Sequence, residues 1–223
     1  MNRVVAVTLL VFAACAAEDP GEPSECGESG RYMRLATGAS WTYAVSGGKT
    51  KTQTVGAIED VGGAKAGTMA HRMTTTKSGG GMTISWQQDT GASVVRHREQ
   101  DLSGTNHTDE IYSPGQTRID ETAAHIVVGA TWTESYDEIV SSLTRANEPT
   151  TMARKVDTWA VIAIDEQVDV PAGRFCSLHV QRRTQVGSNP PKTKHFWFAR
   201  GVGKVKEKDD KGDVEELSTF SQP

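Results

Sequence analysis

The stretch Met82-Thr83-Ile84-Ser85-Trp86-Gln87-Gln88-Asp89-Thr90-Gly91-Ala92-Ser93-Val94-Val95 decides the fold class of this chain. In its first half, large apolar residues alternate with Thr, Ser and Gln. A period of two indicates a β-strand with one face buried and one face in water. Asp89-Thr90-Gly91 then supplies turn residues before the apolar residues return at Val94, which predicts a β-hairpin.

The same alternation recurs along the chain, as at Trp41–Val45 and Cys176–Val180, with Gly-rich turn stretches between the runs. Ser135–Arg145 has near-helical apolar spacing, which fits either a short helix or an edge strand. Trp159–Ile164 is apolar throughout, which predicts a central strand covered on both faces. We therefore expect an all-β fold with at most one short helix: an antiparallel sheet of about eight to ten strands, curled into a half-open barrel or a sandwich.

One short internal repeat stands out. Gly38-Ala39-Ser40-Trp41-Thr42 returns as Gly129-Ala130-Thr131-Trp132-Thr133, at an offset of 129 − 38 = 91 residues. In each copy a Gly precedes a Trp that opens a predicted strand and is suited to plug the open end of a curved sheet. The repeat fits either an old duplication or two equivalent strand entries, and its five residues favour the second.

The N-terminus has the pattern of an export signal. A basic start at Arg3 precedes the uncharged run Val4–Ala14, which is 14 − 4 + 1 = 11 residues long. A membrane-spanning helix needs about 20 residues, whereas the apolar region of a signal peptide needs about 7–15. We therefore predict a signal peptide over residues 1–14.

The residues at the predicted cleavage site refine this prediction. Val11-Phe12-Ala13-Ala14-Cys15 resembles the lipobox of bacterial lipoproteins, although Leu is usual where Phe12 stands. The resemblance implies that Cys15 becomes the lipidated, palmitate-bearing N-terminus and anchors the protein to a membrane. Ala14-Cys15-Ala16 also fits ordinary signal cleavage, which would give a soluble secreted or periplasmic protein.

The domain organisation follows from this anchor. Residues 15–30 comprise the lipidated Cys and a Pro-, Gly- and acid-rich tether, which we predict to be disordered. Residues 31–223 form a single β-domain. By resemblance to Gram-negative lipoproteins, Ala16 directly after the Cys favours the outer membrane of the cell envelope.

Three motifs in the body are recognisable together: Gly38 to Tyr43 (G-x-x-W-x-Y), Val170 to Phe175 (V-P-A-G-x-F) and Gly201 to Val205 (G-V-G-x-V). The set resembles a group of uncharacterised secreted bacterial β-proteins and is similar to the half-barrel of lipoprotein-carrier proteins. The resemblance brings no established reaction, so any function taken from it is an analogy of fold. Pro171-Ala172-Gly173 has the chemistry of a hairpin turn.

The cysteine count is odd, at 3. With Cys15 assigned to processing, Cys26 and Cys176 remain in an oxidising compartment, separated by 176 − 26 = 150 residues. We expect them to form a disulfide. The alternative is a buried free Cys176 and an exposed Cys26.

No catalytic or metal-binding motif is present in the sequence. It contains no Gly-x-Ser-x-Gly, His-Glu-x-x-His or Cys-x-x-Cys, so we predict no catalytic residue, metal site or cofactor. His71, His97, His179 and His195 fall singly in predicted strands, where neighbouring strands could assemble two or three of them.

The aromatic residues suggest a different kind of site. Trp86, Trp159 and Trp197, with Met82, are expected to line an apolar cavity suited to a lipid or another hydrophobic ligand. The alternative is that they fill the core.

Composition limits the function classes. The chain has 24 Lys and Arg against 28 Asp and Glu, for a net charge of -4, which gives no basic face for nucleic acid. Only 36% of its residues are hydrophobic, so the core is lean. We expect a membrane-anchored, non-catalytic β-domain that binds a hydrophobic ligand or an envelope protein, or serves as a scaffold. The alternative is an envelope hydrolase or metal-dependent enzyme with a site assembled across strands.

Overall fold

Twelve antiparallel strands form a closed barrel in a computed structural model of the protein, which describes residues 26, 27 and 29–223. Each strand pairs with the next along the chain, and β12 pairs with β1. The strands are β1 (Ser40–Val45), β2 (Lys49–Asp60), β3 (Met69–Lys77), β4 (Met82–Asp89), β5 (Ser93–Asp101), β6 (Thr108–Asp120), β7 (Thr131–Ser142), β8 (Thr151–Val170), β9 (Gly173–Val186), β10 (Lys192–Ala199), β11 (Gly203–Asp209) and β12 (Val214–Ser221). The signal peptide and Cys15 lie outside the described residues, as does most of the predicted tether.

The all-β prediction is confirmed, and the sheet is more closed than the expected half-open barrel or sandwich. Pairing of β1 with β12 runs from Ser40 to Val45, which satisfies the backbone groups that an edge strand would leave free. Within the described residues, the one helical element is a 3-10 turn at Gly63–Lys65. No described helix is long and apolar enough to cross a membrane.

Two local expectations are corrected by this closure. Ser135–Arg145, expected as a helix or an edge strand, lies mostly in β7, which pairs with both β6 and β8. Trp159–Ile164 lies in β8 but is not covered on both faces, since Ile162 is 44% exposed. The outer side of a single-layered barrel faces solvent, so an apolar run here reflects one buried face only.

Strand β4 turns its polar face, not its apolar face, towards the interior of the barrel. Ser85 pairs with Met73 of the interior core, so the polar residues of β4 face the inside of the barrel. Ile84 and Trp86 face outwards, where they form a separate small cluster with Val61 from the loop before β3. Both faces of β4 are therefore buried, and the period of two identified the strand but not its inner side.

One end of the barrel, here called the plug end, is closed by the segment Arg31–Ala39. Tyr32 and Ala39 are fully buried within the main core. The backbone N–H of Tyr32 donates to Glu121 Oε2 at 2.6 Å, and that of Leu35 donates to Asp89 Oδ2 at 3.2 Å. Glu121 directly follows β6, and Asp89 is the last residue of β4. The segment therefore lies across the end of the barrel.

The β8–β9 hairpin completes the plug. Register shifts between Val161 and Glu166, with Asp165 at a φ of 60°, bend the hairpin. Its turn then reaches β12, where the N–H of Ala172 donates to the carbonyl of Leu217 at 2.9 Å. The opposite end, here called the mouth end, carries the loops after β1, β3, β5, β7, β9 and β11.

A disulfide joins Cys26 to Cys176, with 5.6 Å between their Cα atoms. It ties the chain that precedes the plug segment to the β8–β9 hairpin that folds over the same end. The described part of the chain therefore begins at the plug end.

The short repeat marks two equivalent strand entries. Gly38 and Gly129 have φ of 94° and 83°, a conformation that favours glycine. Their N–H groups donate to Val55 and Val161, at 2.8 and 2.9 Å. The Trp residues that follow open β1 and β7, which lie six strands apart in the twelve-stranded ring.

Removing the disulfide is expected to loosen the plug end. In the chain-entropy account, Cys176→Ser lowers the free energy of unfolding by up to about 5 kcal/mol, because the bond closes a long loop. Denaturant unfolding measures the loss, and amide hydrogen exchange should quicken in Arg31–Ala39. The double variant with Cys26→Ser should match the single variant. Two free thiols from these cysteines in the unreduced, denatured protein would contradict the bond.

Candidate functional site

The interior of the barrel changes from apolar at the plug end to charged at the mouth end. We call this charged interior the lumen. Strand register places side chains of both signs on its inner face, in the same alternation that buries Trp41 and Tyr43 nearer the plug. They are Lys51, Arg96, Arg118, Lys155, Arg182, Lys194, Lys204, Glu99, Glu110, Glu134, Glu138, Asp157, Glu207 and Glu215.

Lys204 is the centre of the best-connected group in the lumen. Its ammonium contacts the carboxylates of Glu207 and Glu215, the latter at 2.9 Å. Lys51 also contacts Glu215, and Lys194 contacts Glu207 at 2.6 Å. This alternation of signs satisfies charges that would be costly to bury singly.

The electrostatics of this group follow from burial and pairing. Burial alone would lower the pKa of Lys204, but Glu207 and Glu215 outweigh it and raise that pKa. Burial would raise the pKa of Glu207, but the charges of Lys204 and Lys194 hold it well below its ordinary value. Burial and the charge of Lys204 lower the pKa of Lys51 to about 8.

A β-bulge brings Lys204 and Glu207 to the same face of β11. Phe198 pairs with Lys204 while its neighbour Trp197 pairs with Lys206, so one extra residue lies between the two pairs. In a regular strand, residues three apart would point to opposite sides. Sequence alternation therefore could not predict this pair.

The lumen opens at the mouth in a recess of about 270 Å³, where Lys49 and Asp209 join the Lys194–Glu207 pair. Deeper in the barrel, a cavity of about 30 Å³ lies between the charged lumen and the aromatic plug. Trp41 closes the side of this cavity that faces the plug end, and its Nε1 donates to the carbonyl of Val202 at 2.6 Å.

In the described part of the chain, the four residues expected to line an apolar cavity do not face a common one, although Trp197 borders a recess of about 410 Å³. Trp159 faces the interior core, where Arg182 lies over its ring at 5.4 Å. Trp86 belongs to the outer cluster, with Met82 packed against it. Trp197 lies on the face of β10 opposite to Phe196, so the four residues are spread over different faces.

A series of hydrogen-bonded polar groups surrounds Trp197 on the outer face of the barrel. It includes two of the histidines that the sequence placed in strands. Glu166 accepts from Trp197 Nε1 at 3.0 Å and bonds His179 Nδ1 at 2.8 Å. His179 Nε2 bonds His195 Nδ1 at 2.9 Å, and Gln181 bonds the other His195 nitrogen at 3.2 Å. Burial, with the charges of His179 and Lys208, lowers the pKa of His195.

Neighbouring strands thus bring together two of the four strand histidines. His71 on β3 bonds the carbonyl of Gly56, and His97 on β5 bonds Gln88 Oε1. Neither takes part in the series of polar groups. Glu166 was not predicted, because the bend in β8 that carries it to this face is invisible in the sequence pattern. In the described residues, no group of three or more His, Cys, Asp and Glu is placed to hold a metal ion.

Replacing Lys204 tests whether the lumen network is a stabilising unit. Lys204→Met leaves Glu207 and Glu215 buried without their shared partner, and is expected to lower the free energy of unfolding by about 3–5 kcal/mol. Lys206→Met is the matched control: Lys206 pairs with Glu216 on the outer face, and its loss should cost at most about 1 kcal/mol. Denaturant unfolding measures both, and equal losses would contradict the network.

The same variant has a signature in pH. Since the folded-state pKa of Glu207 lies below its ordinary value of 4.5, its stabilisation is present above that pH and is lost as the pH falls through the folded pKa. Lys204→Met should flatten this acid-side loss of stability, and Lys206→Met should not.

Comparison with known proteins gives a likeness of shape only. No known protein family matches the chain, and no curated protein sequence matches it. One similar solved structure is a Bacteroides fragilis protein that is inferred to be exported and has a YmcC-like fold. It has 12% identity and a TM-score of 0.47, over 84% of this chain and 97% of that one.

A second similar structure is a Parabacteroides distasonis protein that is inferred to be a lipoprotein. It has 10% identity and a TM-score of 0.46, over 87% of this chain and 100% of that one. At these levels neither likeness indicates what the chain does.

Proposed function

We propose that the protein is a lipoprotein of the bacterial cell envelope, anchored through Cys15, and that its barrel is a non-catalytic binding domain. Its plug end faces the outer membrane, and its charged mouth faces away towards a protein partner. The observation that carries this proposal is the opposition of the two ends: the chain from Cys15 reaches the barrel at the plug, and the charged lumen opens at the other end.

The anchor geometry supports this orientation. The disulfide holds Cys26 to the barrel, and Cys26 is 26 − 15 = 11 residues after Cys15. Even fully extended, this length spans at most about 40 Å. A barrel held so closely by one end keeps that end nearer to the lipid.

Exposed apolar side chains support the same orientation. In the described chain, most large apolar residues that remain exposed are at the plug end: Ile58, Met69, Val127, Val128, Ile162 and Phe220. Leu143 and Met152 are at the mouth end. Exposing apolar side chains to a lipid surface costs less free energy than exposing them to water, which favours a plug end that faces the lipid.

The interior argues for a partner outside the barrel in place of the expected hydrophobic ligand. The plug end is filled with side chains, and the cavity of about 30 Å³ is far below the roughly 300–1,000 Å³ of ligand pockets. The mouth offers paired and unpaired charges around an open recess, which suits a polar protein surface with complementary charges. The alternative of an envelope hydrolase or metal-dependent enzyme, with a site assembled across strands, stays a prediction; of the four strand histidines, His179 and His195 meet.

Anchoring is tested by labelling cells with a palmitate analogue. The wild-type protein should take up the label and fractionate with membranes, because the thiol of Cys15 is the acceptor. Cys15→Ser should lose the label, and Cys26→Ser should keep it. An unlabelled wild-type chain that begins at Ala17 would overturn the lipoprotein proposal.

The direction of the mouth is tested by photo-crosslinking in cells. A photoreactive amino acid in place of Lys49, at the mouth, should yield a discrete protein adduct that weakens as salt screens the charges. The same probe in place of Met69, at the plug end, should give lipid adducts. Protein adducts from Met69 alone would contradict the proposal.

A further inference from the structure

Arg118 is a basic side chain of the lumen that makes no close ion pair with any described residue. It extends from β6 into the barrel and lines the cavity of about 30 Å³, with Lys204, Gln87 and Tyr43. Among the described residues, no carboxylate oxygen lies within ion-pair distance of its guanidinium. Its one side-chain hydrogen bond is long, from Nη1 to Gln116 Oε1 at 3.5 Å.

The neighbouring bases are compensated in a way that Arg118 is not. Arg96 contacts Glu99 and bonds Gln116 Oε1 at 2.5 Å. Arg182 lies 3.9 Å from Asp157. Burial and the charges of Arg96 and Arg182 lower the pKa of Arg118 to about 10. Burial and these like charges outweigh the more distant carboxylates of Glu207 and Glu99, so this half-buried position, which has no close ion pair, favours an added negative charge.

Gln87 gives an independent indication at the same cavity. Its side chain is 6% exposed, its Nε2 bonds Ser85 Oγ at 3.0 Å, and its Oε1 is buried without a hydrogen-bond partner. Rotating the amide by 180° lets the Ser85 hydroxyl donate to Oε1 and places the amide nitrogen, a donor, where the unpartnered oxygen stood. The cavity would then present N–H donors from Gln87 beside the guanidinium of Arg118.

We propose that this cavity binds a small monovalent inorganic anion of the size of chloride, held by Arg118 and the amide of Gln87. A volume of about 30 Å³ accommodates one or two water-sized particles, a size that suits a halide. Lys204, which also lines the cavity, is already paired with Glu207 and Glu215, so its charge does not require the added anion.

The consequence is that halide binding stabilises the barrel from inside. A ligand that binds only the folded state raises its stability in proportion to the logarithm of ligand concentration. The site needs neither the lipid anchor nor a partner at the mouth. It therefore goes beyond the proposed function, and its failure would leave that function untouched.

Thermal unfolding of the purified full chain in chloride and in gluconate, at equal ionic strength, tests the proposal. Gluconate is too large for the cavity, so the Tm should be several degrees higher in chloride and should rise with chloride concentration. Arg118→Met should abolish this difference. Arg154→Met, which removes an exposed arginine paired with Asp137, should retain it. Equal Tm values in the two salts would overturn the proposal.

Diffraction locates the ion even if Arg118→Met fails to fold. Crystals of the wild-type protein grown with bromide should give an anomalous peak within hydrogen-bond distance of the Arg118 guanidinium and the Gln87 amide. Bromide on the surface alone, with none in the cavity, would contradict the proposal.

Discussion

Glu121 accepts backbone hydrogen bonds from Tyr32 and Met33, and it fixes the segment that closes one end of the barrel. The rest of the structure depends on this closure. With the plug segment and the β8–β9 hairpin in place, the chain concentrates its apolar burial at one end, where Trp41, Trp159 and Leu178 meet. A lean composition is sufficient because a closed barrel buries its inner face only, and here only part of that face is apolar.

The opposite end uses charge where most small barrels use apolar packing. Lys204, Glu207 and Glu215 fill the lumen with alternating signs, and Tyr43 links them to the plug by donating its hydroxyl to the carbonyl of Lys204 at 3.0 Å. Such a network stabilises the fold only when each buried charge has a partner of opposite sign, because removing one partner leaves the other charge buried and unpaired. Among the described members of the network, Arg118 has no carboxylate within ion-pair distance, and this unfilled position leads to the inferred anion.

The sequence supported the prediction of an all-β fold and of the Asp89-Thr90-Gly91 and Pro171-Ala172-Gly173 turns, because alternation and turn chemistry are local. Closure was not predictable, since it depends on β1 meeting β12 across nearly the whole chain. The site was missed for a related reason: bulges set the faces of Lys204 and Glu166. One residue inserted in a strand exchanges the inward and outward faces of the residues that follow it, and no local sequence pattern predicts where such a bulge occurs. The histidines gave a partial signal, which led to His179 and His195 but not to their carboxylate partner.

The proposed function requires one end of the barrel to face the membrane and the other to face a partner. Its most direct test is the depth of each end in a bilayer, measured on the lipid-anchored protein in vesicles that contain brominated lipids. A fluorescent amino acid at Val128, in the plug-end loop, should be quenched, and one at Lys211, in a mouth-end loop, should not. Equal quenching at both positions, or stronger quenching at Lys211, would contradict the account.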